Sequence, residues 1–168
     1  MKKAKAAGGE LICFGETFLQ GFCCFDWQFS RDREMAVSVD SAVFGKVCAL
    51  SAEIGIDVLL GFAELDGEAI FSSAALIAEG GLYHLYRRIS KGWKEYTKTD
   101  GHYQEGTAVE TFSYGGKTFA IALCGDLWDM PERFSLGEEV LLWPVYISYT
   151  PEEWAAGVGQ EYAEQAQN

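Results

Sequence analysis

Basic side chains are scarce in this chain: Lys and Arg number 13 against 25 Asp and Glu, leaving a formal charge of −12 and a pI near 4.5. A surface of that sign repels phosphates instead of releasing their counterions, so neither nucleic acid nor an anionic membrane is expected as a partner. No run of about twenty apolar residues occurs, which excludes a spanning helix. The lysines Lys2, Lys3 and Lys5 are followed by no long apolar stretch, so a secretory leader is not expected and a cytoplasmic location is. The only histidines are His84 and His102, and Cys13, Cys23, Cys24, Cys48 and Cys124 form no C-x-x-C. Ligand spacing for zinc is therefore missing, and an odd number of cysteines in an unsecreted chain reads as reduced thiols. The glycine pairs at 8–9, 80–81 and 115–116 match no phosphate-binding loop.

What is present is enough for a folded domain. The 168 residues are 49% hydrophobic and 14% aromatic, a composition that favours a packed core over disorder. Residues 2–8 read as a helix stopped by Gly8-Gly9, and Leu11 to Phe14 as a short strand. Met35, Val39, Val43, Val47, Leu50 and Ile54 recur at helical spacing, predicting one amphipathic helix over 34–54 that ends at Gly55. A strand follows over 56–63. Two hairpins are predicted, 69–78 with 82–89 around Glu79-Gly80-Gly81, and 107–114 with 117–123 around Gly115-Gly116. A last strand is expected over 139–149, with Pro144 ending its ladder. Thr150, Pro151 and Glu152-Glu153 carry the cap, first-turn and charge signals of a final helix.

This order predicts a layered α/β domain with no repeat or linker, occupying 1–168 as one unit. A helix at residue 2 with no strand before it, and another at the far end with none after it, predict an incomplete fold, since a parallel strand–helix–strand unit needs both strands. An independent domain edged by helices is the alternative. Incompleteness carries a further expectation of poor stability as a monomer.

The chemistry concentrates in Ala122-Leu123-Cys124-Gly125-Asp126-Leu127-Trp128. An apolar strand runs into Cys124 and a turn or helix start follows. Such a bend exposes a nucleophile on fixed backbone, with nearby N–H groups available to a thiolate or an oxyanion. By itself the same context suits a packing cysteine.

The segment IALCGDLWD resembles the nucleophile motif of the nitrilase, or carbon–nitrogen hydrolase, superfamily. LICFGETFLQGF (11–22) is similar to the family's first catalytic motif, with Glu16 on the catalytic Glu and Gly15 where a Pro is usual. The helix, strand and Gly61-Phe62-Ala63-Glu64 turn also fit the family order. The resemblance implies a partial nitrilase-like αββα sandwich.

It further implies a thiol hydrolase of a non-peptide C–N bond in a small amide-like substrate. Glu16 would be general base, Cys124 nucleophile, and a Lys the oxyanion stabiliser, through a Cys acyl-enzyme needing neither cofactor nor metal. The Lys position is the point of departure. In Tyr86-Arg87-Arg88-Ile89-Ser90-Lys91 the gap-free match is Arg88, and Lys91 or Lys94 supplies the ammonium if the loop is shifted. Lys91 is chosen as the nearer. Glu95 is the candidate for a second family carboxylate, and Glu64 reads as structural. Association of copies through helical faces is the family's habit. The competing reading is an inactive remnant, or a binding or assembly module, that keeps the core without a working triad.

Overall fold

A computed structural model of the chain describes residues 1–167. Its elements run α1 (Lys2–Ala6), β1 (Leu11–Cys13), α2 (Phe29–Met35), α3 (Ala42–Ile54), β2 (Asp57–Asp66), β3 (Ala69–Ala78), β4 (Gly81–Arg87), β5 (Phe112–Tyr114) and β6 (Lys117–Ile121). The turn at Cys124 leads into α4 (Asp126–Asp129), then a 3₁₀ turn at Pro131–Phe134, β7 (Val140–Leu142), α5 (Pro151–Glu153), a π-helical turn at Trp154–Val158 and α6 (Gly159–Gln165).

The strands form two sheets, in the orders β1-β2-β3-β4 and β5-β6-β7. In the first, β1 and β2 are parallel and β2, β3 and β4 antiparallel; in the second, β5 is antiparallel and β7 parallel to β6. Both predicted hairpins are present.

Strand alternation assigns the two faces of the first sheet. Val58, Leu60 and Phe62 of β2, with Ala75 and Ile77 of β3, pack on Phe44 of α3. Leu59, Ala74, Leu76 and Tyr86 point the other way and meet Ile121 and Leu123 of the second sheet, with Leu127 and Phe134 closing the layer. That gives helix, sheet, sheet, with α6 against the segment that follows Cys124: Gln165 donates to the Leu127 carbonyl (2.5 Å) and Tyr162 stacks on Trp143 at 5.5 Å.

The long helix expected over 34–54 is two helices. Ser41 caps α3 by accepting from the Phe44 N–H (3.2 Å), and Ala36 to Ser41 leave the helical path. Their backbone is used elsewhere: Val37 donates to the Ala63 carbonyl (2.9 Å) and accepts from Leu65 N–H (3.2 Å). Bonding to the β2 edge overrides the helical periodicity. The strand expected over 139–149 shrinks to Val140–Leu142, and that over 107–114 to Phe112–Tyr114. Neither terminal helix contains a fully buried residue.

Candidate active site

The β2 edge positions Glu16. Phe14 N–H bonds the Leu59 carbonyl (2.8 Å) and Leu19 N–H the Gly61 carbonyl (3.1 Å), while the Gln20 amide both donates to and accepts from the Ala63 backbone (2.9 and 3.0 Å). Between these ties the chain lifts over β2, and Gly61 is what lets it come close. A Cβ there would lie 2.0 Å from the Gly15 oxygen and 2.8 Å from the Glu16 Cα. Gly15, in the place expected for Pro, makes similar room: a Cβ would sit 2.7 Å from the Val145 oxygen.

Glu16 is 1% exposed. Its Oε1 accepts from Ser72 Oγ (2.6 Å) and from Arg88 Nη1 (3.0 Å), and its Oε2 is buried without a partner among the described residues. Ser72 lies on the inter-sheet face of β3. Arg88 follows β4 by one residue, still bonded to the sheet through its N–H on the Ser72 carbonyl (2.9 Å). Its Nε donates to Ser90 Oγ (2.8 Å).

Cys124 follows β6 at a bend where its own φ is +44° and the Asp126 N–H closes on the Leu123 carbonyl (2.9 Å). Positive φ is uncommon outside glycine and marks a backbone held by its surroundings. The holders are identifiable: Cys124 N–H donates to the Pro144 carbonyl (3.0 Å), and Trp143 Nε1 donates to the Cys124 carbonyl (2.8 Å). The thiol points at the Tyr146 carbonyl, 3.7 Å away. Burial, then the Glu16 charge, push the thiol up to about 11, opposed by Arg88. A preformed thiolate, which the bend alone led one to expect, is thus disfavoured; the proton has Glu16 as its neighbouring acceptor.

Asp126 joins these parts. Fully buried, it accepts at Oδ1 from Ile89 N–H (3.2 Å) and Ser90 N–H (2.8 Å), and at Oδ2 from Leu123 N–H (2.8 Å) and Tyr86 OH (2.7 Å). One carboxylate therefore fixes the segment that follows β4 to the Cys124 turn that follows β6.

Glu16 is bonded to Arg88 (3.0 Å) and both charges act on the Cys124 thiol, whereas neither Lys91 nor Lys94 bonds to Glu16 or Cys124 among the described residues. Lys91 is exposed, on a turn past the last sheet bond, with no ion pair among the described residues. Lys94 is held by Glu105 (2.8 Å) and the Tyr103 carbonyl. Glu95 is exposed, and Glu64 is structural in the sense expected, paired with Arg87 (2.6 Å) and Ser73 (2.6 Å) on the opposite sheet face. Ser72 and Ser90, and the partners of Asp126, escaped the sequence; for Ser72 the available signal was period-two alternation, which sends Ser72 and Arg88 to one face and Ser73 and Arg87 to the other. A cleft of about 370 Å³ between β4 and residues 104–110 contains neither Glu16 nor Cys124, and its Arg87 is already paired.

The fold is thus a two-sheet α/β sandwich that sets a cysteine at a strand-to-helix bend beside a buried glutamate. The carbon-nitrogen hydrolase family model matches residues 1–139, and the chain belongs to that family. It is 26% identical over 145 residues to a glutamine-dependent NAD(+) synthetase of Thermotoga maritima, covering 84% of this chain and 24% of the relative. It is 27% identical over 174 residues to a cyanide hydratase of Leptosphaeria maculans, covering 87% and 45%. The chain thus spans less than half the length of these curated relatives. Among solved structures, a variant of the amidase from Nesterenkonia sp. AN1, with acrylamide added at its active-site cysteine, has the same fold at a TM-score of 0.68 and 18% identity, covering 94% of this chain and 61% of that one.

Proposed function

We propose that the chain carries the reaction centre of a hydrolase acting on a non-peptide C–N bond of a small amide or nitrile, with Cys124 as nucleophile and Glu16 as proton acceptor. The observation that carries this reading is the unpartnered Glu16 Oε2, buried in the site and contributing to the upward push on the Cys124 thiol. A carboxylate oxygen without a donor, next to a thiol kept protonated, is arranged to take that proton as sulfur attacks carbon. Collapse of the adduct expels the amine with the proton returned, and water activated by the same carboxylate releases the acyl group.

The named activities of the relatives, amide and nitrile chemistry, support this substrate class. The cysteine of the Nesterenkonia amidase adds to acrylamide, which makes acrylamide a suitable probe here. Incubation with acrylamide is expected to label Cys124 in preference to Cys13 and Cys48. A panel of small amides and nitriles is expected to release ammonia with this chain and not with Cys124→Ala of unchanged melting temperature. Equal ammonia release by that variant would overturn the assignment.

A second reading, a binding module without turnover, is favoured by two contacts: Arg88 and Ser72 both occupy Glu16 Oε1. It would show as ligand-induced thermal stabilisation with no ammonia released.

A further inference from the structure

Past the end of β6 the chain goes on bonding to the segment after β7, but in one direction only. Ala122 N–H donates to the Leu142 carbonyl and Cys124 N–H to the Pro144 carbonyl, each at 3.0 Å. In a parallel ladder the return bonds come from two residues further on, Pro144 to the Ala122 carbonyl and Tyr146 to the Cys124 carbonyl. Pro144 has no N–H to give, and Tyr146 N–H makes no bond to Cys124 among the described residues. Where that second rung would fall, the Trp143 indole reaches across and its Nε1 donates to the Cys124 carbonyl (2.8 Å). The Tyr146 carbonyl faces the thiol instead, at 3.7 Å.

A side chain has thus replaced a backbone donor at a residue whose φ is +44°. A regular rung would have carried the strand straight on, whereas left-handed backbone at a residue with a side chain persists only where its surroundings over-determine it. The indole is itself held. Tyr162 of α6 stacks on Trp143 at 5.5 Å and 22°, Trp128 of α4 stands 6.1 Å away at 58°, and Tyr162 meets Trp128 edge-on at 5.2 Å. Through these rings α6 reaches the Cys124 peptide.

We infer that Trp143 is a positioning residue for the nucleophile: its bond to the Cys124 carbonyl sets the bend from which the thiol gives its proton to Glu16, and Tyr162 of α6 seats the indole for that bond. This rests on Cys124 as nucleophile and Glu16 as proton acceptor. Trp143 acts through the Cys124 backbone, on the direction in which the S–H is presented.

Two reactions at Cys124, read by mass spectrometry between pH 7 and 9 with Cys124→Ala as background, separate this role from simple packing. Acetylation by 4-nitrophenyl acetate sends the thiol proton to Glu16, forms a C–S bond and expels 4-nitrophenolate with the C–O pair. Alkylation by iodoacetamide forms an S–CH2 bond, releases iodide and draws on thiol already ionised, so its rate climbs about tenfold per pH unit below the thiol midpoint. The charged groups that act on the sulfur are Glu16 and Arg88, and burial pushes the Tyr162 phenol up, so it stays neutral over this range. With Glu16 taking the proton, acetylation of the unaltered protein is expected to be nearly flat with pH.

Trp143→Phe, which keeps a ring against Tyr162 and removes the N–H, is expected to slow acetylation at pH 7 about 10²-fold, the loss that misplacing a reacting group by about 1 Å brings. Its acetylation should also take on the slope of alkylation, while alkylation keeps its rate. Tyr162→Ala is expected to shift acetylation in the same direction, and Tyr162→Phe, which retains the ring, to restore it. Both reactions slowing alike, or acetylation staying flat in Trp143→Phe, would overturn the role of Trp143. Should Trp143→Phe not fold, the two Tyr162 variants decide by the same slopes. Glu16→Gln that leaves acetylation flat would remove the proton acceptor, a separate failure, and this role with it.

Discussion

Consecutive residues carry consecutive duties on opposite faces of one sheet. Ser72 and Arg88 serve Glu16 between the sheets; Ser73 and Arg87 serve Glu64 beneath. The Arg87 guanidinium is driven upward in pKa chiefly by its hydrogen bond to Glu64, and it lies 4.1 Å over the Phe71 ring. The inner pair differs in having a thiol for neighbour, and that has a titration consequence. With the thiol raised from 9.0 to about 11, about one Cys124 in 10⁴ is ionised at pH 7. Its alkylation rate is therefore expected to climb about tenfold per pH unit until near 11. Glu16→Gln removes the largest charge opposing the thiolate, so the midpoint should fall toward 9 while ammonia release drops by about 10²-fold or more for want of a base. A pH series of alkylation beside a turnover assay checks both; a midpoint that stays at 11 would show Glu16 to be electrically remote from the sulfur.

At the scale of elements, the site is a joint between two sheets, and Asp126 is its pin. Replacing it by Ala orphans the N–H groups of Ile89, Ser90 and Leu123 and the hydroxyl of Tyr86, each buried donor costing about 1–3 kcal/mol. Loss of at least about 3 kcal/mol is expected on denaturant melting. Asp126→Asn, which keeps one acceptor for Ile89 and Ser90 but sets an amide against Leu123 N–H, should fall between. Destabilisation of Asp126→Ala by under 1 kcal/mol would contradict the pinning.

Glu16 and Cys124 were legible in the sequence because each lies at the end of a strand within a recognisable run. Asp126 was visible as part of that run but its partners were not: they sit 36–40 positions upstream on the other sheet, and no local pattern encodes such a pairing. The same holds for Ser72, 56 positions from Glu16. The 34–54 helix misled because Met35 and Val39 keep helical spacing with α3, while the backbone of Val37 between them is bonded to β2 and Val39 packs into the core.

Taken whole, the molecule exposes apolar surface beside its reaction centre. Tyr146, whose ring stacks on Phe22 at 4.6 Å, is 43% exposed, as is Ile147, and Trp154 is 63% exposed across a cleft of about 420 Å³ that Ile147, Tyr149 and Pro151 also line. Contiguous apolar surface of this kind favours association. Sedimentation velocity is expected to show concentration-dependent self-association, weakened by Trp154→Ser by about 2 kcal/mol, the order of burying one large aromatic face. The melting temperature should hardly move, since Trp154 is not part of the core. A monomer at all concentrations would count against it.

The clamp on Cys124 also orders events in time. The peptide bearing the nucleophile has its N–H taken by Pro144 and its carbonyl by Trp143, the latter 19 positions further along. During synthesis the Glu16 segment emerges first and can settle on β2 as soon as β2 exists. Cys124 emerges long afterwards, and the two hydrogen bonds on its own peptide form only once residues 143–144 have left the ribosome. A nascent chain halted before that point leaves the Cys124 N–H and carbonyl without these partners, so the bend is completed at a definite moment of translation by the residues that grip it.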